Sequence, residues 1–326
     1  MLFNHIISGI SSWSKLFQER EVWAPLAEVI YRQNDIPFAE LEQLTPGTNA
    51  VFKIQNTVLK IFAPQEADIS TVSDYYAELL GLQTAQELNL AAPRLLAQGE
   101  IEDRYHFNYI VMEYVAGEEL GGVLPLISFG EQEKALQQVS DMVKKLHRRE
   151  STTSIARGTT HALSRYISSY EEVVWRALDN PRWQAFTMPV QQEVRKEIYH
   201  SFVATTTSDL VYIHGDMTGE NLLRDASGKI YLIDFADGCI APPGYEYPAI
   251  VCELLDLNPD LVQRFYRYSC PGNSVDELWR YILLHDFGAD YLRKIAARVL
   301  EKQLEEVANL EELRQGLARH LGRNWE

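Results

Sequence analysis

Two short apolar runs, LVYIHG and KIYLIDF, enclose the polar stretch DMTGENLLRDASG. No other feature of the chain constrains its fold as tightly. Each apolar run reads as a strand, and RDASGK between them reads as a turn. His214 and Asp216 then fall just past the first strand, Asn221 lies five residues after Asp216, and Asp234 ends the second strand. An acid at the end of an apolar strand is costly unless it meets a cation or several donors. Asp234 with Asn221 would offer oxygen ligands to a hard cation such as Mg²⁺. Asp216 would then be free to orient or deprotonate a nucleophile. A hydrogen-bonded polar turn accounts for one Asp, but not for His, Asp, Asn and a strand-end Asp in register.

Upstream, residues 5–32 read as an amphipathic helix, with Trp13, Leu16, Phe17, Trp23, Leu26 and Ile30 as core contacts. AVFKI and TVLKIF flank QN and form a hairpin, with Gly47 in the turn before it. A helix follows over residues 71–89, with Tyr75, Leu79 and Leu82 on one face. Pro93 closes that segment. QGEIEDR is turn-like, and YHFNYIVMEYV is a strand. Further helices are expected over 131–149, 162–178 and 189–204. In the first of these, Leu136, Val139, Met142, Val143 and Leu146 form the buried face. Beyond Pro259 the chain is mostly helical. The fold class is α+β in two lobes, with the change near residues 113–117. The expected division is a β-rich N-lobe over 1–113, carrying an N-terminal helical extension, and a helical C-lobe over 114–326. A cleft between lobes is a usual place for a ligand.

Composition narrows the partners. A net charge of −16, from 30 basic and 46 acidic residues, argues against nucleic acid, whose usual footprint is a basic patch. It favours a cationic small molecule. Three cysteines (Cys239, Cys252 and Cys270), with no CxxC spacing, fit a reducing cytoplasm. The start MLFNHIISGISSWSKLF reads as a helix and not a signal peptide, and no run reaches the ~18 apolar residues of a membrane span. The histidines and cysteines lack zinc-ligand spacing.

A base, an amide ligand five residues on and a carboxylate ligand after a hairpin is the arrangement that phosphoryl transfer from ATP needs. On HGDMTGENLL and IDFAD the chain resembles the aminoglycoside phosphotransferase and small-molecule kinase family of the protein-kinase-like superfamily. Gly215 and Ala236 stand where protein kinases carry Arg and Gly, which is the small-molecule-kinase pattern.

The resemblance extends over most of the chain and assigns roles. Asp216 is the catalytic base, and Asn221 and Asp234 are the metal ligands. TPGTNAVFKI resembles the phosphate loop, in which the backbone at Gly47 and the side chains of Thr48 and Asn49 approach the nucleotide. Lys60 in VLKIF contacts the α/β-phosphates. Its partner is Glu78, with Glu87 on the same helix as the rival. YIVMEYV resembles the hinge, so that the Glu113 carbonyl and Val115 N–H hold adenine with Met112 behind the ring, and Glu118 or Glu119 reaches the ribose. His214 hydrogen-bonds backbone near Asp234 and braces the loop, and His147 in KKLHRRE is structural.

The implied reaction moves the γ-phosphoryl group of ATP, with Mg²⁺, to a hydroxyl of a small molecule that is aminoglycoside-like, an amino alcohol or a sugar. GTP stays open as donor. Residues 236–290 hold nine acids (Asp237, Glu246, Glu253, Asp256, Asp260, Asp276, Glu277, Asp286, Asp290) against three arginines, a balance that suits an amine. The chain departs from the family at APPGYEYPAIVCELL, where Glu246 or Tyr247 occupies the place of an anchoring Asp. A protein kinase and a catalytically silent nucleotide-binding module are the alternatives. The first lacks an Ala-Pro-Glu segment here, and the intact Lys60, Asp216, Asn221 and Asp234 count against the second.

Overall fold

The structure is a computed structural model that describes residues 1–45, 47–69, 72–148, 167–205, 209–269 and 274–322. Pro46, Thr71, residue 149, residues 162–166 and Cys270, which enter the expectations above, lie outside these. The fold is α+β, and the chain divides into two compact units, Met1–Ala116 and Gly117–Glu326.

The first unit is built on an antiparallel sheet in the order β1-β2-β3-β5-β4. Its strands are β1 (Glu42–Gln43), β2 (Ala50–Ile54), β3 (Thr57–Ile61), β4 (Leu95–Glu102) and β5 (His106–Glu113). AVFKI and TVLKI alternate or run apolar as a sheet strand must, and Gln55 turns the hairpin at φ +55°. QGEIE, expected as a turn, is strand β4 instead. Its Gly99 pairs with Tyr109, and a Cβ there would lie 2.7 Å from the Tyr109 hydroxyl. The glycine makes room for a cross-strand ring, so it is a packing device and not a turn signal. Helix α3 (Val72–Glu87) follows the hairpin and packs on β5.

The single helix expected over 5–32 is two, α1 (Ile10–Leu16) and α2 (Arg20–Gln33), with residues 5–9 outside both. Non-local bonds cause the difference. The Asp103 carboxylate accepts the N–H groups of Leu2 and Phe3 at 2.9 and 2.7 Å, and Gly9 N–H donates to Glu66 O at 2.7 Å. Trp23 Nε1 donates to Leu16 O at 2.8 Å, which satisfies a carbonyl at the end of α1. Phe3, Trp13, Trp23 and Phe107 form a contiguous aromatic core with centroids 4.8–5.6 Å apart.

The second unit is mostly helical. After β6 (Glu118–Glu119) come α4 (Leu120–Val123) and α5 (Phe129–Leu146), which starts at a Ser128/Glu131 capping box. Leu136, Val139, Met142, Val143 and Leu146 are buried. Helices Tyr170–Asp179 and Met188–Ala204 follow. The paired apolar runs become β7 (Val211–Ile213), β8 (Leu222–Arg224) and β9 (Ile230–Leu232), and β10 (Cys239–Ala241) pairs with β7. Helices Pro259–Tyr266, Val275–Leu284, Gly288–Val299 and Leu310–Leu321 complete the unit. Cys239 and Cys252 are buried thiols. Among the described residues no helix is long and apolar enough to cross a membrane.

Candidate active site

Strand β7 ends at Ile213, and the next four residues turn sharply. Gly215 sits at φ +85°, and a Cβ there would lie 2.4 Å from the Asp237 carbonyl oxygen. Only glycine fits such a backbone. The turn is closed from within by Asp216 N–H, which donates to His214 Nδ1 at 3.2 Å. His214 Nε2 then carries the proton and donates to Ile233 O at 3.1 Å. Ile233 N–H in turn donates to Asn221 O at 3.0 Å. Ile233 is thus held from both sides, and Asp234 follows it at φ +60°. A positive φ on a non-glycine residue costs free energy that the surroundings must offset.

Asn221 Nδ2 donates to both the Asp216 backbone oxygen, at 2.9 Å, and Asp216 Oδ2, at 2.7 Å. The amide nitrogen is committed to Asp216, so the amide oxygen is the end left for a ligand. Burial pushes the Asp216 carboxyl up, and the Asp237 and Asp234 carboxylates push it further, to about 8, against the pull of Asn221. A cation beside Asp234 would oppose that rise.

Beneath the loop lies Glu246, fully buried. Its Oε2 accepts His214 N–H at 2.9 Å and its Oε1 accepts Gly215 N–H at 3.0 Å. His147 Nε2 stands 3.5 Å from Oε2. Burial alone would raise this carboxyl, but His147, His214 and the backbone donors hold it below the ordinary Glu range. The sequence marks Glu246 only as a departure from a pattern; its two N–H donors lie 31 and 32 residues away.

In the first unit, Lys60 on β3 meets Glu78 on α3 at 2.9 Å, with both side chains buried. Glu87, the rival, is exposed near the end of the same helix. A buried pair of this kind is strongly destabilised by removing one partner, by about 3–5 kcal/mol. Asn49 is buried and its Oδ1 accepts Ala63 N–H at 3.3 Å, while the Thr48 carbonyl accepts Trp13 Nε1 at 2.8 Å. A Cβ at Gly47 would meet nothing within 4 Å. Met112 is buried and Val115 half-buried. Glu113 ends β5 with its carboxylate on Arg94 at 2.8 Å. In the second unit, Glu118 and Glu119 are exposed and pair with β8 through the backbone.

The nine acids of residues 236–290 are mostly occupied. Among the described residues six form ion pairs, Glu253 and Asp256 with Lys294, Asp260 with Arg264, Asp276 with Arg314, Asp286 with Arg176, and Asp290 with Arg182, and a seventh, Glu246, accepts the loop N–H groups beside His147. Among the described residues no group of three or more His, Cys, Asp and Glu side chains is arranged to hold a metal ion.

No curated protein sequence matches the chain. Solved structures share its fold at low identity. The GDP complex of wild-type aminoglycoside 2'-phosphotransferase-IIIa superposes with TM-score 0.61 at 14% identity, over 93% of this chain and 99% of that one. The streptomycin–ATP ternary complex of APH(2")-IIa gives 0.55 at 14%, over 86% and 96%. A choline/ethanolamine kinase family protein from Mesorhizobium loti gives 0.52 at 15%, over 90% and 93%. The phosphotransferase enzyme family (APH) matches residues 40–281. That span takes in the Lys60–Glu78 pair, the Asp216–Asn221 loop and Glu246 together, and the chain therefore belongs to the phosphotransferase enzyme family of the protein-kinase-like superfamily, whose members transfer phosphoryl groups to hydroxyl acceptors.

Proposed function

We propose that this chain transfers the γ-phosphoryl group of ATP to a hydroxyl of a small, cationic molecule, an aminoglycoside or an amino alcohol. The observation that carries this reading is the Asn221–Asp216 contact at 2.7 Å. It fixes the carboxylate and commits the amide nitrogen, which leaves the amide oxygen for a ligand.

Asp216 accepts a hydrogen bond from the acceptor hydroxyl and aims a lone pair of its oxygen at the γ-phosphorus. The new O–P bond forms as the bond from the γ-phosphorus to the β–γ bridging oxygen breaks. Its electron pair leaves with the nucleoside diphosphate, and the hydroxyl proton passes to Asp216 Oδ. Phosphoryl transfer of this kind has a loose transition state, so positioning and charge screening supply most of the acceleration. Asn221 Oδ1 and the Asp234 carboxylate would hold Mg²⁺, which neutralises charge on the phosphate oxygens when bound. Lys60, fixed by Glu78, neutralises the α/β-phosphates. The backbone at Gly47, with Thr48 and Asn49, receives the phosphates. The Glu113 carbonyl and Val115 N–H read the adenine edge against Met112. Similar folds with GDP, with ATP and streptomycin, and in the choline/ethanolamine kinase family support a purine nucleotide and an amine-bearing acceptor.

The test is nucleotide consumption, with ATP and GTP in parallel, against kanamycin, streptomycin, choline, ethanolamine and neutral sugars. One cationic acceptor should raise turnover well above the acceptor-free rate. Asp216→Asn should lower that turnover by about 10³-fold or more while nucleotide affinity stays within about threefold. Hydrolysis indifferent to every acceptor, or undiminished turnover in Asp216→Asn, refutes the reading.

A further inference from the structure

The second unit holds a cavity of about 380 Å³ that none of Asp216, Asn221, Asp234 and Glu246 lines. Helices Met188–Ala204, Val275–Leu284 and Leu310–Leu321 each supply part of its wall. The wall is braced by the chain itself. Glu193 Oε2 accepts the Leu310 N–H at 2.9 Å, at the start of the last helix. Arg314 donates through Nε to Asp276 at 3.1 Å and through Nη1 to Glu311 at 3.2 Å. These three carboxylates are therefore engaged in holding the helices together.

Other groups on the wall are not engaged. Trp279 lines the cavity and is 5% exposed. A buried indole N–H ordinarily finds an acceptor, and those of Trp13, Trp23 and Trp183 donate to backbone carbonyls at 2.7–2.8 Å. Among the described residues Trp279 is the one buried tryptophan whose Nε1–H meets no acceptor, and that nitrogen keeps accessible surface. Lys196 and Glu197 line the same cavity, and their side chains form no ion pair or hydrogen bond among the described residues. Consecutive residues of a helix do not face each other, so this pair does not neutralise itself.

What these groups lack, a ligand must bring. An indole N–H and an ammonium both need an acceptor, best a charged one, and a carboxylate needs a cation. A cavity of this size suits a small molecule. We propose that it is a second ligand site, which binds a free α-amino acid: the ligand carboxylate accepts from Trp279 Nε1–H and Lys196 Nζ, and the ligand ammonium pairs with Glu197. Lys196 and Glu197 are exposed, so their pairs with the ligand are weak, and the indole donor carries the larger share.

The test is calorimetric titration of the full chain, without nucleotide, against the standard amino acids, acetate and methylamine. At least one amino acid should bind with a Kd of roughly 1 mM or tighter. Acetate and methylamine, each carrying half of the recognised chemistry, should bind at least about tenfold more weakly. Trp279→Phe keeps an aromatic ring and removes the N–H, and should weaken amino-acid binding about tenfold. Lys196→Met and Glu197→Gln should each weaken it about three- to fivefold. Thermal melting accompanies every variant; should Trp279→Phe fail to fold, the two exposed positions decide. No binding of any amino acid up to about 10 mM, acetate binding as tightly as the amino acids, or unchanged affinity in the folded variants overturns the proposal. The titration uses no phosphoryl transfer, so a failure of the reaction proposed above leaves its outcome intact.

Discussion

At Gly215 a single hydrogen atom separates a working loop from a strained one. Its φ of +85° is outside the range that side-chain-bearing residues favour, and the atom a Cβ would strike, 2.4 Å away, is the Asp237 backbone oxygen. Backbone cannot rotate aside as a flexible side chain would. Gly215→Ala should therefore cost about 1–3 kcal/mol of stability and lower turnover about 100-fold by displacing Asp216. Denaturant melts and kinetics on the one variant measure both; a stable, fully active Gly215→Ala would show that the loop is free to move. HGD and IDF were legible in the sequence because loop and strands are local: strand, turn and strand fall in about two dozen residues. The role of Glu246 was not legible, because the two N–H groups it accepts lie 31 and 32 residues away. A buried carboxylate acts through what folding brings to its oxygens, and that is a tertiary fact.

Elements carry the next level of constraint. Strand β7 delivers the loop, but the 3₁₀ turn Pro243–Glu246 holds it, through one carboxylate that receives two N–H groups. Gln at this position would present one oxygen and one NH₂, and the NH₂ would face a backbone donor. One buried N–H would then lose its acceptor, at about 1–3 kcal/mol. The pH dependence has a definite sign. The folded Glu246 carboxyl lies below its ordinary 4.5, so its contribution is present in full above that pH and is lost as pH falls through the lowered folded value. Calorimetry of wild type and Glu246→Gln should show the wild type more stable at pH 7 and the gap closing in acid. A gap that widens on acidification would mean that Glu246 is held neutral. The same scale explains the misread elements. Gly99 in β4 resembles a turn glycine until Tyr109 is seen across the sheet, and the late start of α1, at Ile10, depends on Asp103 and Glu66, far along the chain.

At the scale of the molecule the dominant fact is charge, 46 acids against 30 basic residues. The sequence places nine acids in residues 236–290, and that excess suggests direct contacts to a cationic acceptor. The structure changes the weight of this inference, because among the described residues six of those acids already hold a lysine or arginine of the chain itself and Glu246 holds the loop backbone. Pairing is invisible to a count, since the partners Arg176, Arg182, Lys294 and Arg314 lie outside the segment. What remains for an acceptor is the summed field of a net −16 chain, which acts over distance and is screened by salt, with a Debye length of about 10 Å at 0.1 M and ~3 Å at 1 M. Such a field raises the encounter rate of a cation and leaves the bound complex almost untouched. For a cationic acceptor, kcat/KM should therefore fall several-fold, roughly three to ten, between 0.05 and 0.5 M salt, while kcat at saturation stays constant. A neutral sugar tested under the same conditions should show no such fall. If the cationic acceptor instead kept its kcat/KM at high salt, its amines would be held by short, buried contacts with carboxylates, and Glu277 would be the first to substitute.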